Sequence, residues 1–136
     1  MLSIVTRWWI APGREDRAVR ALQRLAEAVE EQEPQTTMYM IHTSLAEWPR
    51  PGPARIEVVF VGAWPDSAAF ERHLSGPVFK GWVAAYADLF LGDDGGEVLV
   101  DSAFMDRRAG FVRPTAAAEL LDAERSLELD FESVGV

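Results

Sequence analysis

Apolar and polar residues alternate along residues 57–64, and the apolar spacing then changes to that of a helix. Phe60, Gly62 and Trp64 share one face of the alternating stretch, because successive side chains of a strand point to opposite faces. The gap between the two rings is either a place where a helix packs closely or the floor of a flat pocket. The pattern therefore predicts a strand with an aromatic inner face, and both uses of that face remain open.

The segment that follows predicts a helix in two parts. Asp66 is a good N-cap, and Gly76-Pro77 ends the first part because Pro lacks the N–H that a helix interior needs. Phe70 and His73 share a face of the first part by their i, i+3 spacing. The second part has an apolar stripe of Val78, Phe79, Trp82, Val83, Tyr86 and Phe90. Such stripes are more often core than ligand site, and His73 and Tyr86 are the candidate functional groups beside this one.

The rest of the chain completes an α+β order. Strands are predicted at Leu2–Ile10, Thr36–Leu45 and Glu97–Met105, and an amphipathic helix at Arg14–Glu31. The order strand, helix, strand, strand, helix, strand predicts a ferredoxin-like βαββαβ domain with an antiparallel four-stranded sheet. We assign residues 1–108 to this domain and residues 109–136 to an acidic C-terminal extension with a short helix at Ala116–Leu127.

Two features concern the outer side of this sheet. The first strand is apolar on both faces, with Trp8 on one face and Arg7 and Trp9 on the other. A strand of this kind is buried on both faces, so a second sheet from another subunit is expected opposite the helices. The Pro-rich loop at Trp48–Pro53 is stiff, and it predicts a lid or a subunit contact.

Composition excludes several function classes. The 136 residues carry a net charge of −9 and include no cysteine and two histidines. Nucleic acid and anionic membrane surfaces need clustered Lys and Arg, so neither is an expected partner. Without cysteines there is no thiolate chemistry, and two histidines at unsuitable spacing predict no metal site. Arg7 interrupts the first apolar run, so we expect no signal peptide and a cytoplasmic protein.

Three motifs in the same order resemble the antibiotic biosynthesis monooxygenase family. The main one is residues 64–82, WPDSAAFERHLSGPVFKGW, and the others are residues 11–15, APGRE, and Glu33-Pro34 shortly before the second strand. The resemblance covers about residues 2–106, and the chain looks like a quinol monooxygenase of the dimeric α/β-barrel superfamily. It implies a homodimer in which two sheets form a barrel, each subunit keeping a pocket between its sheet and helices.

The resemblance also implies a reaction. Members of this family oxidise polycyclic phenols, anthrones or quinols with dioxygen and without a bound cofactor, since the substrate is the reductant; an external reduced flavin remains an alternative. Such a pocket needs flat walls, a base and hydrogen-bond donors. The expected catalytic residues are His73 as base, Trp64 and Tyr86. The expected substrate-binding residues are Trp8, Phe60, Phe70, Trp82, His42 and Arg7.

The chain departs from relatives at several positions. Phe60 and Phe70 replace the Asn and Tyr of anthrone-oxidising members, and Val78 replaces a His of quinol-oxidising ones. Val83 and Thr6 replace the His and Asn of haem-degrading members, which disfavours haem cleavage. Three interpretations follow: an aromatic or quinol monooxygenase, a non-oxidative member that binds or cyclises a small molecule, and a structural dimer whose aromatic residues are only core.

Overall fold

A computed structural model describes residues 1–113 of the chain and confirms the predicted βαββαβ order. The elements are β1 (Leu2–Trp9), α1 (Glu15–Gln32), β2 (Met38–Thr43), β3 (Glu57–Trp64), α2 (Ser67–Ser75), α3 (Pro77–Tyr86) and β4 (Asp101–Asp106). The four strands form one antiparallel sheet in the order β2-β3-β1-β4. This is the ferredoxin-like arrangement, with the two middle strands of the sheet provided by β1 and β3.

The two faces of the sheet follow from strand register. Thr6 of β1 lies opposite Phe60 of β3, and both belong to the face that packs beneath the helices. We call this the inner face. Arg7 lies opposite Val59 on the other side, which we call the outer face. Because the side-chain period of a strand is two, each strand contributes alternate residues to the two faces.

The main core lies between the inner face and α1. Its buried residues include Trp8, Leu22, Leu25, Val58 and Trp82. The stripe that α1 buries consists of Ala18, Ala21, Leu22, Leu25 and Val29. Burial of this stripe holds the helix on the sheet, because most helical stability in proteins comes from packing of an apolar face.

The helix break occurs where the sequence predicts it. The Asp66 side chain accepts a hydrogen bond from the backbone N–H of Ala69 at 2.9 Å, which caps α2. A Cβ at Gly76 would approach the carbonyl oxygen of Arg72 at 2.7 Å, so the turn between the helices needs glycine. Pro77 then begins α3, where its missing N–H costs nothing.

Strand β4 begins four residues later than predicted, at Asp101 rather than Glu97. The place beside the end of β1 is taken by Leu91, whose N–H donates to the carbonyl oxygen of Trp9 at 2.8 Å. Val98 forms an isolated bridge with Gly92 across the preceding turn instead. The chain therefore joins β1 only from Asp101 onward, opposite Arg7.

The loop between β2 and β3 folds against the outer face. The Arg7 guanidinium donates to the carbonyl oxygen of Pro51 at 3.1 Å and lies 5.2 Å from the ring centre of Trp9. A Cβ at Gly52 would lie within 3.2 Å of Trp9 Cδ1, so the loop backbone follows the indole closely. The loop thus covers the outer face at the end of β1.

The helix predicted at Ala116–Leu127 lies outside the described residues. Within residues 1–113, no helix has both the length and the apolar character that crossing a membrane requires.

Candidate functional site

A cavity of about 220 Å³ lies between the inner face and the helices α2 and α3. Half of its fourteen lining residues are Trp, Tyr or Phe, namely Trp8, Tyr39, Phe60, Trp64, Phe70, Phe79 and Phe104. Strand β4 contributes Ser102 and Phe104, and Phe104 is largely exposed at the edge of the sheet. An apolar cavity with a few polar groups is the usual form of a small-molecule site.

The Phe60, Gly62 and Trp64 pattern forms one wall of this cavity. The indole of Trp64 lies over Gly62, because a Cβ there would be 2.6 Å from Trp64 Cζ3. The indole N–H donates to the Thr36 hydroxyl at 3.0 Å, and the ring packs edge-on against Phe70 with centroids 4.8 Å apart. The glycine thus allows a large flat ring to lie against the sheet, so the indole of Trp64 rather than a helix fills the gap, and both residues line the cavity.

His73 is the titratable side chain that α2 places at the cavity. It is only 4 % exposed, and its ring lies among those of Phe79, Tyr39 and Trp64 at centroid distances of 5.0, 5.2 and 5.3 Å. Its Nδ1 lies 2.6 Å from Oε1 of Glu33. A buried imidazole with a carboxylate behind it is an arrangement suited to general-base chemistry.

Glu33 was not predicted as a site residue. It follows α1 directly, and its backbone N–H donates to the carbonyl oxygen of Val29 at 2.9 Å. In the sequence, Glu33-Pro34 stands out only as a family motif at a helix end. Its approach to His73, forty residues further along the chain, depends on how α1 and α2 pack.

Tyr39 is a second residue that sequence reasoning missed. It occupies an inner-face position of β2, and its ring contacts Phe60, Trp64 and His73. Burial, followed by the charge of Glu33, raises the pKa of Tyr39 well above its ordinary value of 10.0. The phenol therefore stays protonated at neutral pH and can donate a hydrogen bond. The alternation of β2 put Tyr39 and His42 on opposite faces but did not show which of the two faces the cavity.

A pair of hydroxyl groups lies at the opposite side of the cavity. Thr6 of β1 and Ser102 of β4 line the wall, and their oxygens are 3.1 Å apart. These strands are on the far side of the sheet from β2, which carries Tyr39. The cavity thus has polar groups at two separated places on an aromatic wall.

The structure brings together five of the nine predicted site residues. Trp8, Phe60, Trp64, Phe70 and His73 line the cavity. Trp82 packs in the core beside it, and its indole N–H donates to the carbonyl oxygen of Ala21 at 2.7 Å.

The remaining three lie elsewhere. The Tyr86 hydroxyl points to the α1 side of α3 and accepts from Arg24 at 3.0 Å. Arg7 and His42 are on the outer face, because they occupy the other phase of the strand alternation. Arg7 pairs with Glu57 at 2.7 Å, and His42 Nδ1 lies 3.2 Å from the carbonyl oxygen of Val59. None of the three lines the cavity.

Metal ligands do not cluster in the described part of the chain. Residues 1–113 contain no group of three His, Asp or Glu side chains placed to hold an ion.

The chain is thus a ferredoxin-like α+β domain with a partly aromatic cavity between its sheet and helices. The sequence profile of the antibiotic biosynthesis monooxygenase family matches residues 1–85. The chain belongs to this family.

Solved structures have the same fold. A crystal structure of an antibiotic biosynthesis monooxygenase is 22% identical and superposes with a TM-score of 0.60 over 80% of this chain and 100% of its own. Rv0793 from Mycobacterium tuberculosis is 14% identical, with a TM-score of 0.61 over 80% of this chain and 96% of its own. PA3566 from Pseudomonas aeruginosa is 21% identical, with a TM-score of 0.56 over 79% and 94%. These identities support the fold alone.

A comparison with curated protein sequences finds no match.

Proposed function

We propose that the protein is a monooxygenase that oxidises a flat phenolic or quinol-type aromatic compound with dioxygen. One observation carries the proposal: a buried His73, paired with Glu33, lies on the wall of a largely apolar cavity in which half of the lining residues are Trp, Tyr or Phe. The rings offer flat surfaces to a planar substrate, and the imidazole offers a base. Family membership supports the same class of reaction.

The first chemical step is proton removal. The substrate O–H bond breaks, its proton goes to His73, and its electron pair stays on the oxygen as a phenolate. Tyr39 is protonated and adjacent to His73, so it can donate a hydrogen bond to that oxygen. The phenolate is then electron-rich enough to pass an electron to dioxygen. Tyr39 thus takes the donor role that the sequence assigned to Tyr86.

The overall reaction balances without a bound cofactor. A phenol and dioxygen give a quinone and water, so one oxygen atom enters the product and the substrate supplies all the electrons. A reduced flavin from solution is the alternative electron source. Oxygen uptake that depends on added reduced flavin distinguishes this alternative from the proposal.

Oxygen uptake with a panel of naphthols, hydroquinones and anthrones tests the proposal. We expect protein-dependent uptake and, under ¹⁸O₂, one labelled oxygen in the quinone product. His73→Phe keeps a ring at the site and removes the base, so kcat is expected to fall by about 10²-fold or more. His42→Phe is the matched control, because His42 lies on the outer face and its replacement should leave kcat unchanged.

Uptake that yields unlabelled product would identify an oxidase and contradict the monooxygenase proposal. Equal kcat values for His73→Phe and the wild type would exclude His73 as the base.

A non-oxidative function is a second candidate, favoured by one observation. Phe60 and Phe70 line the cavity where anthrone-oxidising relatives carry polar side chains, which makes the wall more apolar. A protein that binds or cyclises an aromatic compound would show quenching of tryptophan fluorescence by the same panel without oxygen uptake. Trp8 and Trp64 both line the cavity, so the quenching would report on its occupancy.

We also propose that the protein is a homodimer joined through its outer face. All four strands contribute apolar side chains to this face, namely Val5, Met40, Val61, Ala103 and Met105. Met40 and Met105 are 46% and 41% exposed in the single chain. A contiguous apolar patch on a sheet commonly marks an interface, and family membership favours a second copy of the chain as the partner.

A further inference from the structure

His73 stands between two different environments. One side of its ring belongs to the aromatic cavity, and the other belongs to a polar depression at the end of α1. The depression is lined by Glu33, Gln35, Thr36 and Arg72, and Arg72 donates a hydrogen bond to Gln35. The imidazole therefore lines both the apolar cavity and the polar depression.

Glu33 is fixed rigidly behind this ring. Its backbone N–H donates to Val29, and its carbonyl oxygen accepts from the N–H of Thr36 at 3.0 Å. Oε1 lies 2.6 Å from His73 Nδ1, whereas Oε2 is buried and has no hydrogen-bond partner within residues 1–113. A buried carboxylate with one unsatisfied oxygen is costly, and a positive charge on its neighbour would offset that cost.

We infer that Glu33 is a positioning residue that makes His73 the base of the cavity. Its carboxylate accepts the Nδ1–H, which fixes the tautomer and leaves the lone pair on Nε2 to take the substrate proton. After the transfer the imidazole is positive beside the negative carboxylate, and Glu33 stabilises that state without accepting the proton itself. The charged or titratable groups around the ring are Glu33 from the end of α1, Tyr39 from β2 and Arg72 from α2. The inference rests on the proposed function for its substrate.

The tautomer is measured directly in the resting protein. Imidazole ¹⁵N shifts distinguish a protonated ring nitrogen from one that carries a lone pair, and the chain has only two histidines to assign. At about pH 8, where an ordinary imidazole is neutral, we expect His73 to be protonated on Nδ1. Glu33→Leu removes the acceptor and is expected to shift the population toward the Nε2–H form. The spectrum of His42 should not change, which provides an internal control.

Kinetics with a naphthohydroquinone separate the effect of the hydrogen-bond acceptor of Glu33 from the effect of its negative charge. We expect Glu33→Leu to lower kcat by about 10²-fold with little change in KM, and Glu33→Gln, which keeps an acceptor but loses the charge, to lower it by about tenfold. Glu33→Asp should recover part of the activity. Glu31→Gln is the matched control, because it removes one negative charge at an exposed position near the end of α1, two residues before Glu33.

The outcomes distinguish this inference from the proposed function. An unchanged His73 tautomer in Glu33→Leu, or full kcat in Glu33→Gln, overturns the inference. A shifted tautomer in a protein that consumes no oxygen overturns the proposed function and leaves the coupling of Glu33 to His73 established. If Glu33→Leu fails to fold, the kcat of Glu33→Gln tests the inference instead, because an amide of the same shape fits the site.

Discussion

At the scale of single residues, the alternation of a strand decides which side chains reach the cavity. Tyr39 and His42 are three residues apart on β2, and only Tyr39 lies on the inner face of the sheet. Thr6 and Arg7 are neighbours on β1, yet one lines the cavity and the other pairs with Glu57 on the outer face. A one-residue change of phase therefore exchanges a site residue for a surface residue.

Gly62→Ala is predicted to weaken ligand binding in the cavity and to destabilise the fold. Gly62→Ala places a methyl group against the Trp64 indole and must displace that ring, because Cζ3 would be only 2.6 Å away. We expect weaker binding of naphthols, measured by tryptophan fluorescence, and a loss of about 1–3 kcal/mol in the free energy of unfolding.

Gly81→Ala is the control for this change. A Cβ at Gly81 meets no atom within 4 Å, and alanine favours a helix interior over glycine, so the variant should bind normally and gain about 0.5–1 kcal/mol. Normal binding by Gly62→Ala would show that the Trp64 ring does not shape the cavity.

At the scale of elements, the break between α2 and α3 assembles the site. His73 and Phe79 lie on either side of it, and their ring centroids are 5.0 Å apart. On one continuous helix, residues six apart are rotated by about 240° and cannot share a face. The Gly76-Pro77 turn changes the direction of the chain, so both rings reach the same cavity.

The pairing of β1 with β3 also places an ion cluster around the buried Glu57 on the outer face. Arg7 donates to both oxygens of Glu57 at 2.7 and 2.9 Å, and Arg50 donates to Oε2 at 3.2 Å. The hydrogen bond from Arg7, together with the charges of Arg7 and Arg50, lowers the pKa of Glu57 below its ordinary value of 4.5. This cluster connects the loop before β3 to the sheet.

Glu57→Gln is predicted to destabilise the fold in a pH-dependent way. Because the folded pKa is the lower one, the ionised Glu57 stabilises the protein above about pH 4.5, and this contribution disappears as the pH falls through the folded pKa. Urea unfolding should show a loss of about 1–2 kcal/mol at pH 7 that diminishes in more acidic solution.

Glu47→Gln is the control, since Glu47 is exposed on the same loop. A Glu57→Gln deficit that stayed constant down to about pH 3 would contradict this electrostatic account.

At the scale of the whole molecule, the helices cover the inner face and leave the apolar patch of the outer face exposed. The loop at residues 44–56 protects only the end near Trp9. The patch around Met40, Val61 and Val5 has no covering element within residues 1–113. A second copy of the chain would bury this patch and leave each cavity intact on the opposite side of the sheet.

Met40→Lys is predicted to dissociate the proposed dimer. A lysine within the patch would have to lose its hydration in the interface, so we expect the dissociation constant to rise by about 10²-fold or more. Sedimentation velocity measures the change. Val19→Lys is the control, because Val19 is exposed on α1 and away from the sheet. A wild-type protein that sediments as a monomer would exclude the dimer.

Much of the fold could be predicted from local patterns. The strand alternation at residues 57–64, the N-cap at Asp66 and the break at Gly76-Pro77 depend on neighbours in sequence, and the structure confirms them. The start of β4 could not be predicted, because Leu91, ten residues earlier, occupies the place beside the end of β1. The helix predicted at Ala116–Leu127 stays a prediction.

The sequence by itself determined the order of elements, which residues of a strand share a face, the family, and Trp64 and His73 as candidate site residues. Only the tertiary structure decided that Glu33 and Tyr39 belong beside His73 and that Tyr86, Arg7 and His42 do not line the cavity. The physical reason is that periodicity assigns a side chain to a face of its own element. Which faces meet, and which carboxylate lies behind an imidazole, depends on packing between elements that are distant in the chain.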